Sequence, residues 1–510
     1  MKVSAVSRFF RFCVIFSVVL VSVSASPATG PGVYQEKQFV LDWLSNPDVV
    51  ERFGKISDAV WSYAELGLQE FRSSELLAST LEKEGFSVER GMAGMPTCFV
   101  ATYGSGKPVI GILGEFDALP MISQKGWAVD QDPVVEGAPG HGCGHNTMCT
   151  AAVSAAIAVK EAMDEYGFGG TIKVFGSPAE ETLISRPYMI RAGLFDGIDA
   201  VIDNHSGSGF STSYGTSGNA MFSTVFTFTG KTSHGASPWN GISALDAVEL
   251  MNDATNLLRE HLFYTYRMHY VIVEGGEAPN VVPDKASVWY YVRNTDARVE
   301  EMYERVVNCA KAAALATGTE LSEVRCLTAV HQRHANKAAA ELFQKNIELV
   351  GMPEWTEEEQ DFARALQRSL GGRERGMPEE VGRLSPPNTR EVGGGSSDVG
   401  DVTLIAPTAT IRFPGQVPGS VSHHWSSVAS NYGTAAWKGL NAGAKAMAAS
   451  AVDLLTQTEE LQKLRDEFEE YSNENPYRPF LPADAQPPLD LNRELMEKWR
   501  PLMEKFYINP

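Results

Sequence analysis

The first half of the chain alternates between helical and extended hydrophobic patterns. Apolar residues at three- and four-residue spacing predict a helical region over residues 38–86, and period-two patterns then predict three strands, at "SVERGM", "TCFVATYG" and "PVIGILGEF". A helix through "AAVSAAIAVKEAMDEYG" follows, with Asn146 as its expected cap, and then a strand at "TIKVFGS", a helix near "RPYMIRAGLF" and a strand at "AVIDN". Strands that alternate with helices predict an α/β domain, here a mixed sheet with helices on both faces.

The pattern changes at about residue 216. Strands at "NAMFSTVFTFTGK", "HYVIVEGG", "KASVWYYVRN" and "TELSEVRCLTAV" are interleaved with two amphipathic helices. The resulting order, β-α-β-β-α-β, is that of the ferredoxin-like α+β unit. We therefore predict a discontinuous main domain at 26–215 and 331–480, an inserted domain at 216–330, and a C-terminal tail with a short helix at 481–510.

The N-terminus has the pattern of a secretory signal. Lys2, Arg8 and Arg11 precede the apolar run "FCVIFSVVLV", and small residues follow up to Ala25. A membrane anchor needs about 18 or more apolar residues, and this run is shorter. We expect a signal peptide at 1–25, export to a periplasmic or secreted location, and no membrane anchor after cleavage.

Composition excludes some classes of partner. A net charge of -20 gives a surface that repels nucleic acid and anionic membranes, so neither is expected to bind. Without the signal the chain keeps five cysteines, an odd number too small for a disulfide framework in a chain of this length. Cys143 stands out among them because it lies between two histidines in "GHGCGH".

Polar residues stand where the predicted strands of the main domain end. Ligands of open α/β sheets bind at the carboxyl ends of the strands, so these residues are expected at one edge, beside the "GHGCGH" loop: Glu115, Asp117, Glu180, Glu181 and His205. Thiolate, imidazole and carboxylate ligands together favour a divalent ion such as Zn or Mn. Each residue also has a simpler interpretation: a structural histidine, a solvated acidic pair, a tight glycine turn, or a Cys–His nucleophilic pair.

Seven segments in this order resemble one enzyme family: "GEFDALP", "GHGCGHN", "GSPAEET", "DNHSG", "GKTSHGASPWNGISALDAV", "APNVVPDKA" and "HHW". They are similar to motifs of the dimetal aminoacylase/carboxypeptidase-type metallopeptidases, amidohydrolase branch, and the likeness runs from about residue 36 to residue 480. The resemblance implies a metal-binding α/β domain with an inserted ferredoxin-like dimerisation or lid domain, in agreement with the pattern above.

The resemblance also implies roles for individual residues. Two divalent ions per chain, Zn or Mn, would be held by Cys143, His145, Glu181, His205 and His423. His423 is favoured over its neighbour His424, and Cys143 would bridge the two ions where carboxypeptidase relatives use Asp. Those relatives have a ligand His where this chain has Glu115. Glu180 would be the general base, and Asp117 would orient a ligand imidazole.

The inserted domain would supply the remaining contacts with substrate. By resemblance, His234 reaches across a dimer to the substrate carbonyl, and Asn280 and Arg293 contact a substrate carboxylate. The alternatives are a polar residue before a helix for His234 and a turn residue for Asn280. Partners implied are a small-molecule amide and a second copy of the chain, or a related subunit in a heteromer.

The implied activity is hydrolysis of the amide bond of N-acyl or N-aroyl amino acids, such as p-aminobenzoyl-glutamate, by a metal-activated water. Three other functions stay open on the residues alone. Cys143 could be the nucleophile of a cysteine hydrolase, the scaffold could serve a non-catalytic binding protein, or the inserted domain could serve an assembly role.

Overall fold

The computed structural model describes residue 1, residues 34–387 and residues 394–510. The predicted signal peptide lies outside the described residues apart from Met1. The helices are α1 (Gln35–Ser45), α2 (Pro47–Tyr63), α3 (Phe71–Lys83), α4 (His145–Tyr166), α5 (Ser185–Arg191), α6 (Ala244–Leu258), α7 (Asp296–Thr317), α8 (Lys337–Val350), α9 (Glu357–Ser369), α10 (Val399–Thr403), α11 (Trp425–Ser430), α12 (Gly433–Thr456), α13 (Thr458–Glu474) and α14 (Arg493–Met503). None of these helices is both long enough and apolar enough to span a bilayer.

The strands are β1 (Ser87–Arg90), β2 (Phe99–Ser105), β3 (Val109–Glu115), β4 (Gly170–Ser177), β5 (Ala200–Gly207), β6 (Gly215–Ser217), β7 (Ala220–Thr229), β8 (Arg267–Glu274), β9 (Lys285–Asn294), β10 (Glu320–Val330), β11 (Arg333–Ala335) and β12 (Thr408–Pro414). Six of them form the main sheet in the order β1-β2-β4-β3-β5-β12. β3, β4, β5 and β12 are parallel neighbours, whereas β1 and β2 are antiparallel. The predicted mixed sheet is confirmed.

Alternate residues of the main sheet pack on opposite faces. Ile112 and Ile202 belong to a large cluster with apolar residues of α1, α2, α4, α8 and α12. Leu113 and Val201 instead join a second cluster with residues of α5 and α10. Because side chains of a strand alternate between faces, helices cover both faces of this sheet, as predicted.

The inserted domain is a separate antiparallel sheet in the order β10-β7-β9-β8. α6 and α7 pack on it through a cluster that includes Val248, Met251, Val299 and Met302. The order of elements along the chain, β7-α6-β8-β9-α7-β10, is the predicted ferredoxin-like one. The numerical domain boundaries stay predictions.

Local details differ from the sequence prediction. Residues 38–86 form three helices, because Pro47 starts α2 after Asn46 and Ala64 ends it in a left-handed conformation. Asn146 does not cap α4: Gly144 occupies the cap position, and the Asn146 amide donates hydrogen bonds to Ser57 and to the Asn431 carbonyl. The hydrophobic pattern did not predict α8, α10, α11 or α13.

The C-terminal tail crosses from one domain to the other. Phe480 packs in the cluster of the inserted domain, and Arg325 of β10 pairs with Asp490. Further on, Arg500 of α14 donates a hydrogen bond to the Gln69 carbonyl in the main domain. The tail therefore ties the two domains together on the side away from β8.

Candidate metal centre

The loop before α4 and the first residue of that helix present Cys143 and His145 at the carboxyl edge of the main sheet. Gly144 between them has φ +91°, and a Cβ there would lie 2.8 Å from Cβ of Ser206. A side chain at this position would be strained and would also collide with β5. Glycine thus lets the loop pass close to the end of β5, where Cys143 Sγ lies 3.5 Å from His205 Nε2.

Asp117 sets the orientation of His145. Its Oδ1 lies 2.9 Å from His145 Nδ1, and its Oδ2 accepts a hydrogen bond of 3.0 Å from the Glu181 backbone N–H. With Nδ1 engaged, Nε2 of His145 faces the acidic cluster. One carboxylate just beyond β3 thereby contacts two of the predicted ligands, an arrangement that holds ligand side chains in place.

The two adjacent glutamates lie in a tight turn after β4. Glu180–Thr182 form a 3-10 turn, and the residues on either side, Ala179 and Leu183, both have left-handed φ angles. Such conformations are unfavourable for residues with a Cβ and concentrate at functional sites. The turn places Glu180 Oε2 and Glu181 Oε1 3.8 and 3.9 Å from His145 Nε2.

His423 rather than His424 reaches the cluster. Nε2 of His423 lies 3.3 Å from Glu181 Oε2, and its side chain is 52% exposed. His424 instead caps α11, where its side chain accepts from the Ser426 backbone N–H. His423 has φ +57°, so the backbone is held in an unfavourable conformation at the point where this imidazole enters the site.

The protonation of the cluster reflects its burial. Burial raises the pKa of Glu180 to about 7, with the Asp398 charge adding to the rise, and it raises the pKa of Glu181 well above its usual range. Burial also raises the pKa of the Cys143 thiol to about 12 and lowers the pKa of His205 to about 3. Burial opposes protonation of His145, but the Cys143 and Asp117 charges outweigh it and raise that pKa.

The arrangement fits divalent metal ions. Two groups bring one ligand atom of each member within 4.8 Å of the others: Cys143, His145 and Glu181, and Glu115, His145 and Glu180. Among the described residues, three buried atoms of these groups have no hydrogen-bond partner: His145 Nε2, and Glu115 Oε2 and Glu181 Oε1, which lie 3.4 and 3.9 Å from it. Unpaired buried polar atoms are costly, and divalent ions held by thiolate, imidazole and carboxylate ligands would supply the missing partners.

Sequence reasoning missed a buried ion pair behind the cluster. The guanidinium of Arg186 is fully buried and contacts Glu115 Oε1 at 2.7 Å and Asp398 Oδ1 at 2.5 Å. Asp398 also accepts from the hydroxyl of Ser185. Glu115 is therefore held through one oxygen while the other lies 3.4 Å from His145 Nε2. The only signal was Asp398 in "SSDVGD", and nothing local to that segment indicates a buried partner.

The predicted residues of the inserted domain are divided between two places. Arg293 of β9 lies over the Tyr291 ring at 5.1 Å, and burial lowers its pKa while the Tyr291 and Glu180 charges oppose that shift. His234 and Asn280 are exposed and adjacent, since the Gly235 N–H bonds to the Asn280 carbonyl at 2.7 Å. In the described part of the chain, no hydrogen bond or ion pair joins His234 to the metal cluster.

Comparison with known proteins agrees with this geometry. The profile of "Peptidase family M20/M25/M40" matches residues 111–380. The B-type subunit of the p-aminobenzoyl-glutamate hydrolase of Escherichia coli is 36% identical over 465 residues, which cover 86% of this chain and 96% of that protein. The A-type subunit of the same hydrolase is 27% identical over 307 residues, 50% of this chain and 70% of its own length.

A solved structure shows the same fold. A dinuclear metal-binding peptidase of the M20 family from Bacillus subtilis superposes with a TM-score of 0.50 at 18% identity, covering 80% of this chain and 98% of that one. Taken with the buried ligand cluster, these comparisons establish the class of the protein: the chain belongs to peptidase family M20/M25/M40 and is a metal-dependent amidohydrolase.

Proposed function

We propose that this enzyme hydrolyses the amide bond of N-acyl or N-aroyl amino acids, with p-aminobenzoyl-glutamate as the first substrate to test. The observation that carries the proposal is the buried carboxylate of Glu180, which lies beside the ligand atoms of Cys143, His145 and Glu181. The substrate is taken from the similarity to the B-type subunit of p-aminobenzoyl-glutamate hydrolase, which spans nearly the whole of that relative.

Five residues are assigned to hold two ions: Cys143, His145, Glu181, His205 and His423. The neutral imidazole of His205 donates from Nδ1 to the Ser206 carbonyl at 2.6 Å, which leaves Nε2 free as a ligand atom. Bound there, Zn or Mn ions would polarise the scissile carbonyl and make a water molecule nucleophilic at neutral pH.

Glu180 takes the proton of the attacking water and passes it to the leaving nitrogen. A general base works best when its pKa is near the working pH, and burial brings that of Glu180 to about 7 in the metal-free chain. Arg293 would bind a carboxylate of the substrate from the inserted domain, because its Nε is buried with no partner among the described residues, and Asn280 would contact the same carboxylate. His234 would stabilise the oxyanion from a second copy of the chain.

The structure disfavours the cysteine hydrolase. A nucleophilic cysteine needs a lowered pKa and a histidine that can take its proton. Here burial raises the pKa of Cys143 to about 12 and lowers that of the nearby His205 to about 3. A cysteine nucleophile would also leave Glu181 and His423, which lie 3.3 Å apart beside the thiol, without a role, whereas a metal site uses both.

The assembly and location are part of the proposal. We assign a homodimer formed through the inserted domain, with a heteromer of related subunits as the alternative, since both types of subunit of the Escherichia coli hydrolase are similar to this chain. Sedimentation of the protein with and without a co-expressed related subunit distinguishes the homodimer from the heteromer.

Export after cleavage near Ala25 is tested by N-terminal sequencing of the natural protein.

The activity is tested by metal analysis together with hydrolysis of p-aminobenzoyl-glutamate, followed through release of p-aminobenzoate. We expect about two ions per chain, loss of activity on chelation, and recovery with Zn or Mn. Activity that survives chelation but is lost when Cys143 is alkylated would instead favour the cysteine hydrolase. A Cys326→Ser variant, altered far from the cluster, controls for alkylation elsewhere.

A further inference from the structure

A polar cavity of about 330 Å³ opens beside the cluster of predicted metal ligands. Cys143 and His205 form part of its wall, and the rest comes from Arg412 of β12 and from the loops that follow β5 and β12, including Gln416 and several serines. Neither the ligand set nor the general base explains why a guanidinium lines this cavity. The position next to two predicted ligands makes it a space that part of a substrate could enter.

Arg412 is placed there by the register of the main sheet. It is directly opposite His205 in the parallel pair β5–β12, so both side chains leave the sheet on the same face. Its backbone is fixed by two hydrogen bonds with Ser211. Across residues 34–387 and 394–510, no hydrogen bond or ion pair reaches its guanidinium, although burial lowers its pKa and the nearby Arg333 charge lowers it further.

The lining offers hydrogen-bond donors and no carboxylate. Gln416 is held by donating to the Cys143 carbonyl at 2.8 Å, and the hydroxyl of Ser206 is buried with no partner among the described residues. Asp203, whose charge acts on Arg412, accepts from Thr410 and does not line the cavity. A half-buried guanidinium that pairs with no carboxylate in the described part of the chain, and that is surrounded by hydroxyl donors, suits an oxyanion ligand.

We propose that the cavity at Arg412 is a subsite that binds a carboxylate on the substrate, separate from the carboxylate that Arg293 would bind. This deepens the proposed function and rests on it: the preferred substrates are amides that carry two carboxylates, as an acidic amino acid does. Arg293 lies near Glu180 and His423, whereas Arg412 lies near Cys143 and His205, so the two cations contact different parts of one ligand.

Binding to the metal-loaded protein tests the subsite without hydrolysis. The probes are glutarate and its monoamide, glutaramate, which have nearly the same size and differ by one carboxylate. By titration calorimetry, we expect wild type to bind glutarate about tenfold more tightly, and Arg412→Gln to remove that preference. Arg412→Lys should keep part of it, and Arg325→Gln, which removes an equal charge from a remote surface pair, should keep all of it.

Kinetics supply a second readout. For Arg412→Gln we expect KM for p-aminobenzoyl-glutamate to rise about tenfold at nearly constant kcat, and KM for p-aminobenzoyl-glutamine to change less than about twofold. The subsite proposal is wrong if wild type binds glutarate no more tightly than glutaramate, or if the preference for glutarate persists in Arg412→Gln.

The two proposals fail in different ways. A wild type that prefers glutarate through Arg412 but does not hydrolyse p-aminobenzoyl-glutamate would disprove that substrate and support the subsite. Hydrolysis of p-aminobenzoyl-glutamate with a glutarate preference that is independent of Arg412 would support the function and disprove the subsite.

Discussion

The main domain and the inserted domain contribute to the site in opposite ways. Cys143, His145 and Glu181 already lie within ligand distance of one another in a single chain, and Asp117 fixes two of them. His234 and Asn280 lie on two adjacent exposed loops of the inserted domain, and in the described part of the chain no hydrogen bond or ion pair joins either residue to the cluster. The groups assigned to metal binding and proton transfer are preorganised, whereas His234 and Asn280, assigned to the substrate, require a second copy of the chain or a movement of the domain.

Burial explains the difference. Rigid parallel strands with helices on both faces hold the cluster, and the buried Arg186 and Asp398 support it from behind. The exposed loop of His234 is joined to its own domain by short isolated bridges, His234 with Val281 and Lys231 with Ile242. Loops with few buried contacts are the parts of proteins that move when a site closes.

The largest expected effect is on kcat and metal content, which should respond differently to changes at Glu180 and at Glu181. Glu180→Gln should lower kcat by about 10²–10⁴-fold and leave the metal content unchanged, because the variant loses the base and keeps the ligands. Glu181→Gln should lose metal as well, since Glu181 belongs to the ligand group and its Oε1 has no hydrogen-bond partner in residues 34–387 and 394–510. Equal metal content in both variants would contradict this division of roles; kinetics and elemental analysis decide it.

The next effect concerns stability: loss of the buried Arg186 guanidinium should lower the free energy of unfolding markedly. Arg186→Met leaves the buried acids Glu115 and Asp398 without a cation, and such a loss costs about 3–5 kcal/mol in the free energy of unfolding. Denaturant unfolding of the metal-free protein measures it. Arg364→Met, which breaks only surface pairs, is the control and should cost less than about 1 kcal/mol. Similar losses in both variants would mean that the buried pair has no special importance.

His234 tests the inserted domain. His234→Ala should lower kcat by about 10²–10³-fold, the usual cost of one oxyanion donor. If His234 acts across a dimer, the His234→Ala variant can be mixed with the inactive Glu180→Gln variant and their subunits allowed to exchange. The mixture should then recover about a quarter of wild-type activity, because half of the dimers are hybrids and each hybrid has one complete site. No recovery in a mixture shown to contain hybrids would place His234 in the site of its own chain.

The smallest expected effect is the pH dependence of metal binding. The metal-free cluster is protonated at neutral pH, since burial raises the pKa of Cys143 to about 12 and that of Glu181 well above its usual range. A metal needs the charged forms, so binding releases protons and affinity falls about tenfold per pH unit for each proton released as the pH is lowered. Calorimetry in buffers of different ionisation enthalpy counts those protons, and a count of zero would contradict the assigned ligands.

Several features could be predicted because they depend on local pattern. Alternation of strands and helices, the ferredoxin-like order, and the position of Glu115, Asp117 and His205 at strand ends all follow from periodicities of two and about four residues. The likeness of the seven motifs to a metallopeptidase family added the ligand set, and the family is confirmed. The signal peptide, the numerical domain boundaries and the roles of individual residues stay predictions.

Other features depend on contacts between distant parts of the chain. Arg186 meets Asp398 across 212 positions, and the Asn146 amide reaches Asn431 across 285, so no local pattern could show that these side chains are buried together. The resemblance already favoured His423 over His424, but only the backbone turn shows that one imidazole lies on Glu181 and the other caps α11. Local periodicity thus determined the elements and the edge where they meet, and tertiary packing alone decided which polar side chains are removed from water there and must find partners.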